Sequence, residues 1–125
     1  MQHSRPLSPH LQIYRPQMTS VTSILHRITG AALCVGFLLI ASVLVAAAMG
    51  EETFNLVSGF VRSPLGLFMM FGWTVAFYYH LFNGIRHLLW DMVYLFKIQN
   101  AYRAGYVVLI STVLATAGTW WWVYQ

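Results

Sequence analysis

Two imidazoles and a carboxylate share one face of a single apolar stretch, His-Leu-Phe-Asn-Gly-Ile-Arg-His-Leu-Leu-Trp-Asp, which runs from His80 to Asp91. On a helix with 3.6 residues per turn, His80, Gly84, His87 and Asp91 fall at i, i+4, i+7 and i+11. The face therefore reads imidazole, a gap with no side chain, a second imidazole, carboxylate. Such groups can bind a metal, relay a proton or hydrogen-bond to another helix. Arg86, six residues after His80, points elsewhere. Polar groups placed this way inside lipid face a partner or a cofactor.

His80 lies about 9 Å deeper along the helix than Arg86, at 1.5 Å per residue. An imidazole at that depth needs a partner: a hydrogen bond to another helix, a place in a proton relay, or a metal. Phe77, Tyr78, Tyr79 and Phe82 surround it with flat rings, and Gly84 leaves space one turn away. Those neighbours favour haem, for which axial histidine ligation is established chemistry. His87 is about 10.5 Å from His80 along the axis, too far for both to bind one iron. His26 is expected at the membrane edge and His3 and His10 outside it, so none has matching depth. A six-coordinate haem on His80 would take its second ligand from another chain.

A second polar stripe, Ser23, His26, Arg27 and Gly30, falls at i, i+3, i+4 and i+7 at the entrance to an earlier apolar run. Ser23 and Arg27 could donate hydrogen bonds to a quinone carbonyl. His26, Arg27 and Arg86 lie on one membrane surface, where cationic groups could offset haem propionates. Snorkelling to lipid headgroups competes as an account of Arg27 and Arg86. Asp91 could pass protons to the site; pairing with Arg86 or Lys97 is the stronger reading.

The elements that must carry these residues are set by composition. Hydrophobic residues make up 58% of the 125 residues and charged ones 8%. Soluble domains carry about 25% charge, so a water-soluble surface is excluded. The runs Ile28–Gly50, Ser63–Ile85 and Ala104–Gln125 contain no Asp, Glu, Lys or Arg. Each reaches the roughly 20 residues that a membrane-spanning helix needs. The expected fold is an all-α membrane protein with three transmembrane helices, at about 22–49, 65–95 and 105–124. Small residues in the first (Ala32, Gly36, Ala41, Ser42, Ala46) permit close helix approach.

Before these helices, Pro6, Pro9 and Pro16 argue for an extended arm over residues 1–18, with the membrane domain occupying 19–125. Thr19, Ser20 and Thr22 are candidate N-caps. Glu51 to Arg62 reads as a first loop, and Lys97, Asn100 and Arg103 as a second. Trp120, Trp121, Trp122 and Tyr124 suit a membrane interface. The single cysteine, Cys34, lies in the first run, which excludes a disulfide framework and suggests small apolar packing. The polar, proline-containing start shows no cleavable signal, favouring a bacterial product or a processed organellar one. The net charge is +4, and its placement orients the chain. Arg5, Arg15 and Arg27 lie with Arg86, Lys97 and Arg103 on one side, expected to be inside. No nucleic-acid partner is expected.

Two stretches together carry a family resemblance: Arg5-Pro6-Leu7 followed by Ser23-Ile24-Leu25-His26-Arg27-Ile28-Thr29-Gly30, and His80 to Asp91. In order and spacing they resemble the cytochrome b membrane-anchor subunits of succinate dehydrogenase, respiratory complex II. The resemblance implies that His80 is an axial ligand of a haem b shared with a second membrane-anchor subunit, which gives the other ligand and completes the helical bundle. It implies that Ser23 and Arg27 line a site for ubiquinone as substrate, beside the iron–sulfur subunit. His26 and Arg27 would lie near the haem propionates, with Gly84 and His87 also at the cofactor. Arg86, His87 and Asp91 are expected to be structural or haem-proximal. The arm from Arg5 would contact the iron–sulfur and flavoprotein subunits. The implied setting is a bacterial inner membrane with the amino terminus cytoplasmic, and the mitochondrial inner membrane as second choice. A different class remains open: a non-redox membrane protein using His80, His87 and Asp91 as a proton or ion path.

Overall fold

The computed structural model describes residues 15–125, so the expectations for His3, Arg5, Pro6, Pro9 and His10 lie outside the described residues. The described chain is helical: α1 (Met18–Met49), α2 (Glu51–Arg62), α3 (Pro64–Asp91) and α4 (Ile98–Val123). Of these, α1, α3 and α4 are long and apolar enough to cross a membrane. Their surfaces agree with a lipid setting, since Leu38, Leu44, Phe68, Val113 and Leu114 are all about two-thirds exposed or more.

The segment read as a first loop is instead the helix α2. Glu51 and Glu52 occupy its first turn and Arg62 its last, each complementing the helix dipole. Thr53, Val57 and Val61 are half-buried, while both glutamates and Arg62 are exposed. Gly50, at φ 116, turns the chain straight from α1 into α2, a conformation open to glycine and costly for other residues. At the other end Ser63 Oγ caps α3 by accepting from Gly66 N at 3.1 Å, and Pro64 supplies the first helical turn. Gly66 packs so close to the carbonyls of Phe60 and Val61 that a Cβ would have no room.

The other boundaries also move. α1 starts at Met18, and α3 ends at Asp91 instead of Leu95. Beyond Asp91 the chain turns, with Val93 at φ 68, and Trp90 Nε1 donates to Leu95 O at 2.9 Å. α4 starts at Ile98, so Asn100 and Arg103 belong to its first turns, not to a loop. Polar residues there mark a helix end near water, not an interruption.

α3 is the central element and touches each of the other helices. Its contacts rely on small and polar residues: Ala46, Ala76, Ala101, Thr112 and Thr116 are buried. Lipid offers no hydrophobic drive for helices to associate, so close packing and hydrogen bonds must hold them. Trp73 of α3 lies directly over Gly36 of α1, where a Cβ would overlap the indole. Tyr78 and Thr119 share a 2.7 Å hydrogen bond between α3 and α4. Cys34 is exposed on the outside of the bundle.

Candidate functional site

The first turns of α1, the last turns of α3 and the start of α4 meet at one end of the bundle. There α3 presents two polar stripes, offset by one residue. Tyr79, Asn83 and Arg86 form one, at i, i+4 and i+7; His80, Gly84 and His87 form the other.

The first stripe closes on Thr22 of α1. Tyr79 OH donates to Thr22 O at 2.9 Å, and Asn83 Nδ2 donates to the same oxygen at 3.3 Å. Arg86 Nη1 donates to Thr22 Oγ1 at 2.8 Å and to Asn83 Oδ1 at 3.3 Å. Its Nη2 reaches across to Ala101 O of α4 at 3.2 Å. The guanidinium also lies 4.4 Å from the centroid of the Trp90 ring. Thr22, Asn83 and Arg86 are 1%, 0% and 2% exposed, so this is the driest part of the bundle. Its polar groups are largely satisfied, with Arg86 Nε the exception among the described residues.

Of the roles offered for Arg86 from the sequence, the structural one agrees with these contacts. Arg86 neither snorkels nor pairs with Asp91, which is exposed at the end of α3. Neutral acceptors on three helices take its donors. Tyr79, expected as an aromatic neighbour of a haem, faces α1 instead.

The second stripe is half-buried and keeps unused valence. His80 Nδ1 lies 3.1 Å from His26 O and 3.4 Å from Thr29 Oγ1. A carbonyl only accepts, so Nδ1 carries the proton, and the lone pair is left on Nε2. Thr29 spends its own proton on Leu25 O, at 2.8 Å, or His26 O, at 3.0 Å, so its oxygen can also face Nδ1–H. Nε2 has no hydrogen-bond partner among the described residues. The ring fits against α1 because residue 30 is glycine: a Cβ there would come within 3.0 Å of His80 Cε1. Gly30 and not Gly84 is therefore the glycine that accommodates His80.

His26 does not stand apart at the membrane edge. Its ring stacks on His80 with centroids 3.9 Å apart and planes 8° from parallel. The His87 ring also neighbours it, 5.1 Å away and tilted by 52°. His26 Nδ1 is buried without a hydrogen-bond partner. Gly84 faces this ring too, its Cβ position lying 3.8 Å from His26 Cε1. Face-to-face contact leaves no room for an ion between His26 and His80. Among the described residues, no three His, Cys, Asp or Glu side chains form a group that could hold a metal ion. The cluster leaves His80 Nε2 and the buried His26 Nδ1 open, without forming a complete metal site among the described residues.

Ser23 is half-buried and Arg27 exposed, one turn apart on the flank of α1 beside this cluster. Neither side chain makes a hydrogen bond with the described residues. The sequence reading missed Thr22, Tyr79 and Asn83 as a unit. The available signal was the i, i+4, i+7 spacing of Tyr79, Asn83 and Arg86, one residue out of step with the histidine stripe.

The family model for the succinate dehydrogenase/fumarate reductase transmembrane subunit matches residues 1–119. The chain is 41% identical to a succinate dehydrogenase cytochrome b556 subunit of Paracoccus denitrificans, over 89% of this chain and 85% of that one. It is 39% identical to a cytochrome b560 subunit of Reclinomonas americana, covering 96% and 87% respectively. A mitochondrial cytochrome b560 subunit of Sus scrofa is 40% identical, over 92% of this chain and 69% of its own length.

Proposed function

We propose, from the premise that the chain belongs to the succinate dehydrogenase/fumarate reductase transmembrane subunit family, that it is the haem b-binding membrane anchor of a succinate:quinone oxidoreductase. The observation that carries this reading is the state of His80. Its Nδ1 is tethered to the His26 carbonyl, and its Nε2 is free. A hydrogen bond on one ring nitrogen that fixes the tautomer for metal binding by the other is the usual support of a ligating histidine. The exposed Phe77, Leu81 and Leu88 of the same helix give an apolar surface, suited to a porphyrin. The residues therefore fit the group.

In this reading His80 would hold the haem through Nε2, and a second membrane-anchor subunit would supply a further ligand. Haem b, when bound, supplies a one-electron redox centre within the membrane. His26 and Arg27 would offset the carboxylates of that group, and Gly84 and His87 would border it. A flavoprotein subunit and an iron–sulfur subunit would supply the electrons from succinate, and this chain would offer ubiquinone a site at the end of the bundle where α1 begins. Ser23 and Arg27 hold the quinone there by donating to its carbonyl oxygens, and the cation of Arg27 favours the charge that reduction places on them. Protons enter from the adjoining water phase. That phase is the cytoplasm, or the matrix in an organelle, if basic residues orient the chain in an inner membrane.

A proton path through His80 is less well supported, because its Nδ1–H is committed to a carbonyl. The test is the reduced-minus-oxidised spectrum of the complex purified with wild-type chain and with His80→Ala, together with mass spectrometry of the co-purifying subunits. The expected result is b-type bands in the wild type and their loss in the variant. Unchanged bands in His80→Ala would remove the ligand assignment.

A further inference from the structure

We propose that Thr22 is a positioning residue for quinone: gripped by Tyr79, Asn83 and Arg86, it places the Ser23–Arg27 turn of α1. The inference rests on the quinone role proposed above for Ser23 and Arg27.

Ser23 and Arg27 have no side-chain hydrogen bonds to the described residues that could fix where they stand. Their positions come from the backbone of α1, and that backbone is pinned at two points. The carbonyl of Thr22 accepts from Tyr79 at 2.9 Å and from Asn83 at 3.3 Å. The carbonyl of His26 accepts from His80 at 3.1 Å. Ser23 follows the first pinned residue and Arg27 the second. The turn between them is therefore held to α3 at both ends.

Thr22 is also held through its hydroxyl. Its proton goes to Met18 O at 2.9 Å or Thr19 O at 3.1 Å within α1, which turns an oxygen lone pair toward Arg86 Nη1 at 2.8 Å. The donor is charged, so this bond is among the strong class. Arg86 simultaneously holds Ala101 O of α4 at 3.2 Å, and Met18 packs over Gly105 nearby. The pin thus refers the start of α1 to both other spanning helices. A quinone carbonyl reads displacements of a few tenths of an ångström as weaker hydrogen bonds. A contact that fixes α1 here should show in quinone affinity before it shows in assembly.

The experiment uses the assembled complex in membranes, with Thr22→Val, Thr22→Ser, Tyr79→Phe and Ser23→Ala. Quinone-reductase rates are normalised to succinate oxidation by a soluble acceptor dye, and haem content is followed by its spectrum. Thr22→Val should raise KM for quinone about 3–10-fold, the equivalent of one lost hydrogen bond, with haem content retained. Thr22→Ser, which keeps the hydroxyl, should restore it. An unchanged KM in Thr22→Val, or a Thr22→Ser variant as impaired as Thr22→Val, overturns the inference. If Thr22→Val does not assemble, Tyr79→Phe decides by the same KM criterion, since it removes a donor to the same residue. Ser23→Ala separates the two levels. If it weakens quinone use while Thr22→Val and Tyr79→Phe do not, only the positioning role fails. If Ser23→Ala itself leaves KM unchanged, the quinone-site reading fails first.

Discussion

The two polar stripes of α3 are neighbours on one helix, yet they are built to opposite ends. Tyr79, Asn83 and Arg86 are buried, and each donates to α1 or α4. His80, Gly84 and His87 are half-buried and leave His80 Nε2 and the buried His26 Nδ1 without partners. Polarity inside a membrane therefore has two meanings. Where donors meet acceptors on neighbouring helices, it holds the helices together. Where a nitrogen is oriented by one bond and left open on the other side, it marks a place for something the chain does not contain.

Substitutions can separate these meanings. The largest effect is expected from Arg86→Ala. It strips the donor from Thr22 Oγ1, Asn83 Oδ1 and Ala101 O in a dry site, at a cost of about 3–5 kcal/mol. Recovery of assembled complex from detergent extracts should collapse, and haem with it. His80→Ala should behave differently. Haem retention should weaken roughly 100-fold or more, while the chain still inserts and co-purifies with its partners. A haem-replete His80→Ala complex, or an Arg86→Ala complex assembled as wild type, would erase the contrast.

Two smaller changes sharpen it. Tyr79→Phe removes one donor to Thr22 O and should lower thermal stability by about 1 kcal/mol with the haem spectrum unaltered. Gly30→Ala should do the reverse. Its Cβ would lie 3.0 Å from His80 Cε1, so the ring must shift by a few tenths of an ångström. The shift should appear in the haem absorption bands or midpoint potential, with assembly intact. A Tyr79→Phe variant that moved the haem bands, or a silent Gly30→Ala variant, would show that the stripes are not independent.

The three spans and the histidine stripe were legible because both are local: long charge-free runs, and a spacing that repeats on one helix. The packing partners were not. Headgroup contact was one reading of Arg86, because an arginine near lipid usually finds water, whereas its acceptors on other helices are Thr22 and Ala101. His26 read as an edge residue because depth along α1 does not reveal that α1 and α3 cross closely enough there to stack two imidazoles. α2 was taken for a loop because Glu51 and Glu52 interrupt the apolar pattern, although acidic residues in a first helical turn are favourable. The roles of Ser23 and Arg27 rest on family likeness, since neither has a contact within the described chain that would reveal one.

Gly50 turns α1 directly into α2, and Ser63–Pro64 turns α2 directly into α3, so no slack string joins these two spans. A rigid rod of 12 residues, about 18 Å long, spaces them instead. At their far ends the two spans are joined by the Thr22–Arg86 and His26–His80 contacts. Tilting imposed by a thicker or thinner bilayer would be felt at those contacts, which makes them the molecule's gauge of membrane thickness.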